Sequence, residues 1–267
     1  MPMRSPNTAS PLEDFFQRLQ RAARRILMID YDGTLAPFHE DPVQAKPYPG
    51  VIERLDAIMD DPQTQVVLVT GRWTRNVVPL LPLRRLPEIW GAHGWEQLRP
   101  DGAYGQAQIS QRALDGLFQT DAWMEQIQQL GGRYEYKPGG LAIHWRGLAP
   151  DQIAAIQRLV SEKWSAQEMD KDLAWHDFDG GIELRAQGRD KGYVVDTVLA
   201  KSQAAVSAYL GDDATDEDAF KAIKGRGLSV LVRPEYRATA AEVWIRPPEE
   251  LLSFLERWQS SCKVETL

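Results

Sequence analysis

"MIDYDGTLAP", residues 28–37, continues an apolar run and contains two aspartates, Asp30 and Asp32, separated by one position. The apolar residues 26–29 have the composition of a short strand buried on both faces. Asp30 would then stand at the carboxyl end of a strand, where an open α/β sheet presents its ligand-binding groups. A turn stabilised by Gly33 is the purely structural alternative. The pattern raises a question, because each aspartate increases the cost of ionising the other.

Similar short apolar runs recur along the chain and alternate with segments of helical periodicity. The further predicted strands are residues 66–69, 88–90, 206–210, 228–232 and 242–245. The predicted helices of the same unit are residues 12–25, 51–59, 190–202 and 248–259. This alternation predicts an α/β fold with a doubly wound, Rossmann-like parallel sheet.

The middle of the chain has a different pattern, which predicts an inserted α+β unit. A helical segment at 114–132 precedes a hairpin, and a second helix and hairpin follow. The predicted hairpin strands are 133–137 with 141–146 and 173–178 with 182–186, the second pair joined by a turn at 179–181. We expect a sheet domain formed by residues 1–110 and 187–267, with a cap formed by 111–186. The alternative is two hairpins that decorate one larger domain.

The composition restricts the class of protein and of partner. The chain has 267 residues, is 43% hydrophobic and carries a formal net charge of −7, which argues against nucleic acid or an acidic membrane surface as a partner. Its one cysteine excludes an intramolecular disulfide. The chain has no apolar run as long as a membrane span, and its first residues lack the apolar core of a signal peptide. We therefore expect a cytoplasmic protein.

Polar groups follow other predicted strands. Thr70, Gly71 and Arg72 come directly after residues 66–69 and offer a hydroxyl and backbone N–H groups suited to a phosphoryl oxygen. Lys191 begins the helix before strand 206–210 and could neutralise a phosphate. The structural alternatives are a threonine that caps a helix and a solvated lysine.

The most acidic segment is "GDDATDED", residues 211–218, at the end of another predicted strand. Its carboxylates are Asp212, Asp213, Asp216, Glu217 and Asp218. Such a cluster near Asp30 would be strongly repulsive without a divalent cation, and oxygen ligands favour Mg²⁺. The structural alternative is that Asp213 and Thr215 cap the next helix, and capping is compatible with a cation site.

Taken in order, D-x-D-G-T, T-G-R, a lysine and G-D-D-x-T-D resemble the motifs of the haloacid dehalogenase (HAD) superfamily of phosphatases. Within it, "DYDGTL", "GAHGWE", "GDDATDED", "LAIHWR" and "IELR" are similar to the trehalose-6-phosphate phosphatase family. The resemblance implies a HAD core with an inserted C2-type cap. It also implies Mg²⁺-dependent hydrolysis of a small sugar phosphate, trehalose 6-phosphate, through an aspartyl-phosphate.

This resemblance implies different roles for the two aspartates. Asp30 would be the nucleophile, and Asp32 would be the general acid toward the leaving oxygen and then the general base toward water. Because these roles require opposite protonation states, repulsion that raises the pKa of one partner would assist the reaction.

The resemblance also implies the surroundings of the aspartates. Mg²⁺ would be held by Asp30, the backbone carbonyl of Asp32 and Asp212, supported by Asp213 or Asp216. Thr70, Gly71 and Lys191 would bind the phosphoryl group. Candidate sugar contacts are Arg72, His93, Glu96, Lys137, His144, Arg146 and Glu183. The alternatives are a solvated polar face of the cap and, for Arg72, an ion pair with a nearby acid.

Two other functions remain open at the level of sequence, and the sequence argues against a third. Another sugar phosphate could be the substrate: mannosyl-3-phosphoglycerate, sucrose-6-phosphate or glucosylglycerol-phosphate. A catalytically silent homologue could bind a sugar phosphate and regulate a partner. A phospho-receiver shares the aspartate, hydroxyl, lysine and acidic pocket, but it lacks an inserted cap and a counterpart of Asp32. The oligomeric state is not predicted.

Overall fold

The strand that leads to Asp30, Arg25–Ile29 (β1), lies inside an eight-stranded sheet between strands Thr64–Val69 (β2) and Val206–Gly211 (β10). The computed structural model describes residues 10–39, 41–165, 172–178, 180–202 and 204–262. Asp179, in the predicted turn of the second hairpin, and residues 1–9, part of the segment considered for a signal peptide, lie outside this range.

The remaining elements follow in chain order. The helices are Pro11–Gln20 (α1), Val51–Met59 (α2), Thr74–Val77 (α3), Gln111–Gln119 (α4), Asp121–Gln129 (α5), Pro150–Ser165 (α6), Lys191–Ala200 (α7), Glu217–Ile223 (α8) and Glu249–Cys262 (α9). The other strands are Glu88–Gly91 (β3), Glu96–Leu98 (β4), Tyr104–Gln106 (β5), Arg133–Lys137 (β6), Gly140–His144 (β7), Leu173–Phe178 (β8), Gly181–Ala186 (β9), Leu228–Val232 (β11) and Val243–Ile245 (β12).

The large sheet has the strand order β12-β11-β10-β1-β2-β3-β4-β5. Its first six strands are parallel, as predicted, and β4 and β5 continue the sheet as antiparallel strands that the sequence analysis missed. From β1 the chain proceeds to β2 on one side and returns through β10 on the other. The carboxyl ends of β1, β2 and β10 therefore meet where the strand order reverses, the position at which such sheets bind ligands.

Alternate residues of β1 face two different hydrophobic cores. Leu27 and Ile29 pack with residues of α1, α2 and α9, whereas Ile26 and Met28 pack with residues of α7 and α8. Burial on both faces explains why the strand lacks the polar alternation of a half-exposed strand. In the described part of the chain, no helix is both long and apolar enough to cross a membrane.

A separate antiparallel sheet in the order β6-β7-β9-β8 forms the cap. Its hydrophobic core contains Trp123, Ile127, Leu141 and Leu184, which join the cap helices to the sheet. The segment predicted as one helix at 114–132 is instead two helices, α4 and α5, which meet at Thr120. The first hairpin ends earlier than predicted, because β7 stops at His144.

We predict that Trp258→Ala lowers the free energy of unfolding by about 3–5 kcal/mol, because it removes a large side chain from a packed core. Trp258 is fully buried and lies with its ring centroid 5.8 Å from that of Phe15 and 6.2 Å from that of Phe254. Urea denaturation measures the change. Phe118→Ala is the control, since Phe118 is 66% exposed, and a similar loss in both variants would contradict the prediction.

Candidate active site

Three carboxylates and one ammonium group meet at the carboxyl edge of the parallel sheet. Lys191 Nζ lies 3.1 Å from Asp30 Oδ2 and 2.8 Å from Asp216 Oδ1. All three side chains are buried, with Asp212 beside them. Burial alone would lower the pKa of Lys191, but the carboxylates of Asp216 and Asp30 outweigh it and raise the pKa. The lysine therefore stays cationic among the acids.

Asp216 uses both of its carboxylate oxygens within the protein. Oδ1 accepts hydrogen bonds from Lys191 Nζ and, at 2.6 Å, from the Tyr209 hydroxyl. Oδ2 accepts from the backbone N–H groups of Asp212 and Asp213, each at 3.0 Å. Through these bonds Asp216 holds the backbone of the acidic loop, residues 211–216. Asp213, whose side chain accepts from the N–H of Ala214 at 2.7 Å, caps the short helical turn that follows.

The geometry around Asp30 and Asp212 fits a small divalent cation. One carboxylate oxygen from each of Asp30, Asp212 and Asp216 lies within 4.8 Å of the others, and oxygen donors of this kind suit Mg²⁺. Asp212 Oδ1 is buried and has no hydrogen-bond partner among the described residues. Gly33, at a φ of +78°, leaves the space: a Cβ there would come within 2.1 Å of Asp212 Oδ2.

The pKa values of Asp30 and Asp212 are both raised, which also fits a cation site. Burial, with smaller contributions from Asp216 and Asp32, raises the pKa of Asp30 to about 8 although Lys191 opposes the change. Burial and the same kind of repulsion raise the pKa of Asp212 well above its usual range. A cation would offset the cost of ionising both side chains. Desolvation, more than the repulsion considered from the sequence, is the main cause for Asp30.

Asp32 is paired with Arg72. Arg72 Nε and Nη2 donate to the two carboxylate oxygens of Asp32, each at 2.6 Å, in the bidentate geometry that arginine favours. Arg72 Nη1 also donates to the carbonyl oxygen of Pro42 at 2.7 Å, which ties the pair to the loop after β1. The ion pair considered as an alternative for Arg72 is therefore present.

The segment after β2 presents its backbone to the site. Thr70 is fully buried and does not line the cavity that lies between the sheet edge and the cap. Its hydroxyl accepts a hydrogen bond from the backbone N–H of Arg72 at 3.1 Å. Gly71 does line the cavity, and the His93 ring covers it so closely that a Cβ would lie 2.6 Å from Nε2. The structure brings Gly71 to the cavity wall, with the hydroxyl of Thr70 behind it.

A cavity of about 520 Å³ lies between the sheet edge and the cap. It collects most of the predicted site residues: Asp30, Asp32, Gly71, Arg72, His93, Lys137, His144, Arg146, Glu183, Lys191, Asp212 and Asp213. Its wall also contains residues that the sequence analysis did not select, among them Phe38, Val43, Asn76, Glu135 and Phe178. Glu135 could have been found, because it shares a strand face with Lys137 two positions later.

Glu183 of the cap is the centre of a buried charged cluster. It lies 3.0 Å from His93 Nε2, 3.4 Å from Lys137 Nζ and 3.9 Å from Arg185 Nε. Although burial opposes it, the charges of Lys137 and of neighbouring groups hold the pKa of Glu183 well below its usual range. Burial, reinforced by Arg185, lowers the pKa of His93 to about 3. A carboxylate and a neutral imidazole therefore face each other across the boundary of core and cap.

His144 and Arg146 occupy the outer part of the cavity. His144 Nε2 lies 4.0 Å from Glu135 Oε2, and its ring packs edge-on against Phe178 with centroids 5.3 Å apart. Burial lowers the pKa of His144 to about 4. The guanidinium of Arg146 lies over the Phe38 ring, 4.5 Å from its centroid, so that a cap residue contacts the loop after β1.

Glu96 is placed outside this cavity. Its carboxylate is buried and accepts from the N–H of Thr74 at 2.8 Å and from the Tyr104 hydroxyl at 2.7 Å. These bonds tie β4 to the start of α3 and to β5. The suggestion that Glu96 contacts a sugar is therefore not supported by its position.

Comparison with solved structures defines the class of fold. The structure of the C-terminal domain of C. albicans trehalose-6-phosphate phosphatase matches with a TM-score of 0.75 and 21% identity, over 97% of this chain and 99% of that one. A haloacid dehalogenase-like hydrolase from B. subtilis matches with a TM-score of 0.62 and 13% identity, over 87% of this chain and 99% of that one. The fold is that of a HAD-like hydrolase with a cap.

Sequence comparison is more specific. The profile described as Trehalose-phosphatase matches residues 28–242. The trehalose-phosphate phosphatase of Mycobacterium marinum is 32% identical over 96% of this chain and 68% of its own length. An uncharacterized glycosyl hydrolase of Mycobacterium tuberculosis is 29% identical over 93% of this chain, which spans 19% of that protein. The chain belongs to the trehalose-phosphatase family.

We predict that His93→Asn is less stable than the wild type at pH 7 and that this difference narrows by about 2 kcal/mol at pH 5. The pKa of His93 is lower in the folded protein than in the unfolded chain, so the unfolded state takes up the proton first as the pH falls. Stability that depends on the neutral imidazole is therefore lost from about pH 6.5 downward. Asparagine is the chosen replacement because it tolerates the φ of +54° at this position.

Urea denaturation at both pH values measures this difference, with His39→Asn at an exposed histidine as the control. A stability difference between His93→Asn and the wild type that stays constant from pH 7 to pH 5 would show that His93 is not buried in its neutral form.

Proposed function

We propose that this protein hydrolyses trehalose 6-phosphate to trehalose and phosphate through an aspartyl-phosphate, with Mg²⁺ as cofactor. Membership of the trehalose-phosphatase family supports the reaction. The observation that carries the proposal is the position of Asp30, which lines the cavity between core and cap and lies 3.1 Å from Lys191 Nζ. The boundaries proposed for the core are 1–110 and 187–267, and those for the cap are 111–186.

In the first step, a carboxylate oxygen of Asp30 attacks phosphorus, and the bond between phosphorus and the sugar oxygen breaks. Asp32, which also lines the cavity, donates a proton to that oxygen so that the sugar leaves as an alcohol. In the second step Asp32 takes a proton from water, the water oxygen attacks phosphorus, and phosphate leaves as Asp30 is regenerated. Both steps use the same pair of side chains.

Charge on the transferring group is stabilised by fixed groups of the core. Lys191 supplies the ammonium at the site, and Gly71, which has no side chain of its own, brings the backbone to the cavity wall. Asp30, Asp212 and the backbone carbonyl of Asp32 are the proposed ligands of Mg²⁺, with Asp216 and Asp213 in support. When bound, the cation neutralises charge on phosphoryl oxygens and on the nucleophile. Thr70 orders the backbone of this segment, because its hydroxyl accepts a hydrogen bond from the backbone N–H of Arg72.

The cap residues supply the groups that a sugar requires. Lys137, Arg146 and Glu183 line the cavity together with His93 and His144, which offers charged and neutral donors and acceptors to sugar hydroxyls. A cavity of about 520 Å³ is of the size at which proteins enclose small ligands. The alternative substrates considered above differ at these contacts, whereas the chemistry at Asp30 would be shared.

A panel of sugar phosphates tests the proposal. We predict Mg²⁺-dependent phosphate release from trehalose 6-phosphate that exceeds release from sucrose-6-phosphate, glucosylglycerol-phosphate and mannosyl-3-phosphoglycerate.

Asp30→Asn should abolish turnover with the protein still folded, because an amide is a poor nucleophile. Asp101→Asn at an exposed turn is the matched control. Faster release from another substrate would reassign the specificity, and normal turnover by Asp30→Asn would reassign the nucleophile.

We predict a further effect at Arg72. Arg72→Lys should lower kcat by about 100-fold, because an ammonium group cannot hold Asp32 through two parallel hydrogen bonds and misplaced catalytic groups lose rate steeply. Arg84→Lys is the control, since Arg84 forms an exposed ion pair with Asp60 at 2.7 Å and does not line the cavity. Steady-state kinetics with saturating substrate measure the change, and an unchanged kcat would mean that the pair does not orient Asp32.

A further inference from the structure

The loop that carries Asp212 is held from two opposite sides. Its backbone N–H groups at Asp212 and Asp213 donate to the carboxylate of Asp216, on the side of the buried cluster. Its carbonyl groups at the same two residues accept from Arg237, at 3.2 Å from Nε to Asp212 O and 2.7 Å from Nη2 to Asp213 O. Asp216 belongs to the same segment of the chain, whereas Arg237 lies 25 residues after Asp212.

Arg237 is itself anchored. It lies between β11 and β12, with Nη1 bonded to the carbonyl oxygen of Ala238 at 3.0 Å and to the carboxylate of Glu217 at the start of α8. Glu217 in turn accepts from the Thr239 hydroxyl and from the N–H of Ala240, each at 2.8 Å. The guanidinium therefore has a defined orientation.

The position of the Asp212 carboxylate depends on this backbone. Asp212 Oδ1 is buried without a hydrogen-bond partner among the described residues, so bonds at that oxygen do not orient the side chain. The planar fork of an arginine can bind two successive carbonyl groups at once, which a lysine ammonium cannot do with the same geometry. Arg233 reaches the carbonyl of Asp212 at the longer distance of 3.4 Å.

We propose that Arg237 is a positioning residue that holds Asp212 at the cation site by binding the carbonyl groups of the acidic loop. The inference rests on the proposed function in one respect, the binding of a divalent cation by Asp30 and Asp212. Arg237 contacts neither the cavity nor the side chain of Asp212, and its contribution is to the backbone on which Asp212 is carried. Groups that orient a metal ligand in this way affect metal affinity strongly.

The test measures binding of Mn²⁺, as a probe of the cation site, by the electron paramagnetic resonance signal of the free ion. We expect Arg237→Gln to weaken Mn²⁺ binding by about tenfold or more, and Arg237→Lys to recover part of the loss by holding one carbonyl. Arg246→Gln removes an exposed guanidinium that packs on Trp244 and should bind Mn²⁺ like the wild type. Circular dichroism establishes whether each variant is folded. If Arg237→Gln does not fold, Arg237→Lys is compared with the wild type in its place.

Hydrogen exchange of the cation-free protein separates this inference from the proposed function. Loss of Arg237 should speed exchange of the amides in residues 211–216 relative to Arg246→Gln. Unchanged exchange together with unchanged Mn²⁺ binding would overturn the positioning role. If the wild-type protein binds no Mn²⁺ yet exchange still increases, the cation site fails and the role of Arg237 in the loop stands.

Discussion

Burying negative charge at the carboxyl edge of the parallel sheet is unfavourable, and the arrangement of the surrounding groups offsets this cost. Asp30, Asp212 and Asp216 are almost completely shielded from water near the ammonium group of Lys191. Isolated carboxylates would not remain ionised there, and the raised pKa of Asp30 expresses that cost. Neighbouring features reduce it: Asp216 is saturated with hydrogen bonds, Gly33 leaves space beside Asp212, and the cluster offers oxygen donors to a cation.

The cap extends the same principle to the other side of the cavity. Glu183 is buried, and it is stabilised there by the positive charge of Lys137 and Arg185 and by a hydrogen-bonded imidazole, His93, that belongs to the core. Core and cap are thus joined through polar groups that also line the cavity. A site built in this way can recognise a polar ligand, because its donors and acceptors are ordered before the ligand arrives.

Local sequence patterns predicted much of this arrangement. The strands around Asp30 were predictable because strands buried on both faces consist mostly of apolar residues, and the helices because one face of each meets the sheet. Strands β4 and β5 were missed because each is three residues long and its sequence, EQL or YGQ, contains no apolar run. The break at Thr120 was missed because both helices present a continuous apolar pattern. Phe38 and Val43 were missed because loop residues show no pattern that marks a cavity wall.

The sequence by itself determined the chemical groups, their order and the strand ends at which they stand, since parallel strands bring residues far apart in the chain to one edge. Only the tertiary structure decided which partner each group has. Arg72 binds Asp32, Glu96 supports β4 and β5 outside the cavity, Thr70 lies behind Gly71, and Arg237 holds the Asp212 loop. The physical reason is that hydrogen bonds and desolvation act over a few ångströms, and those distances are set by packing of the whole chain.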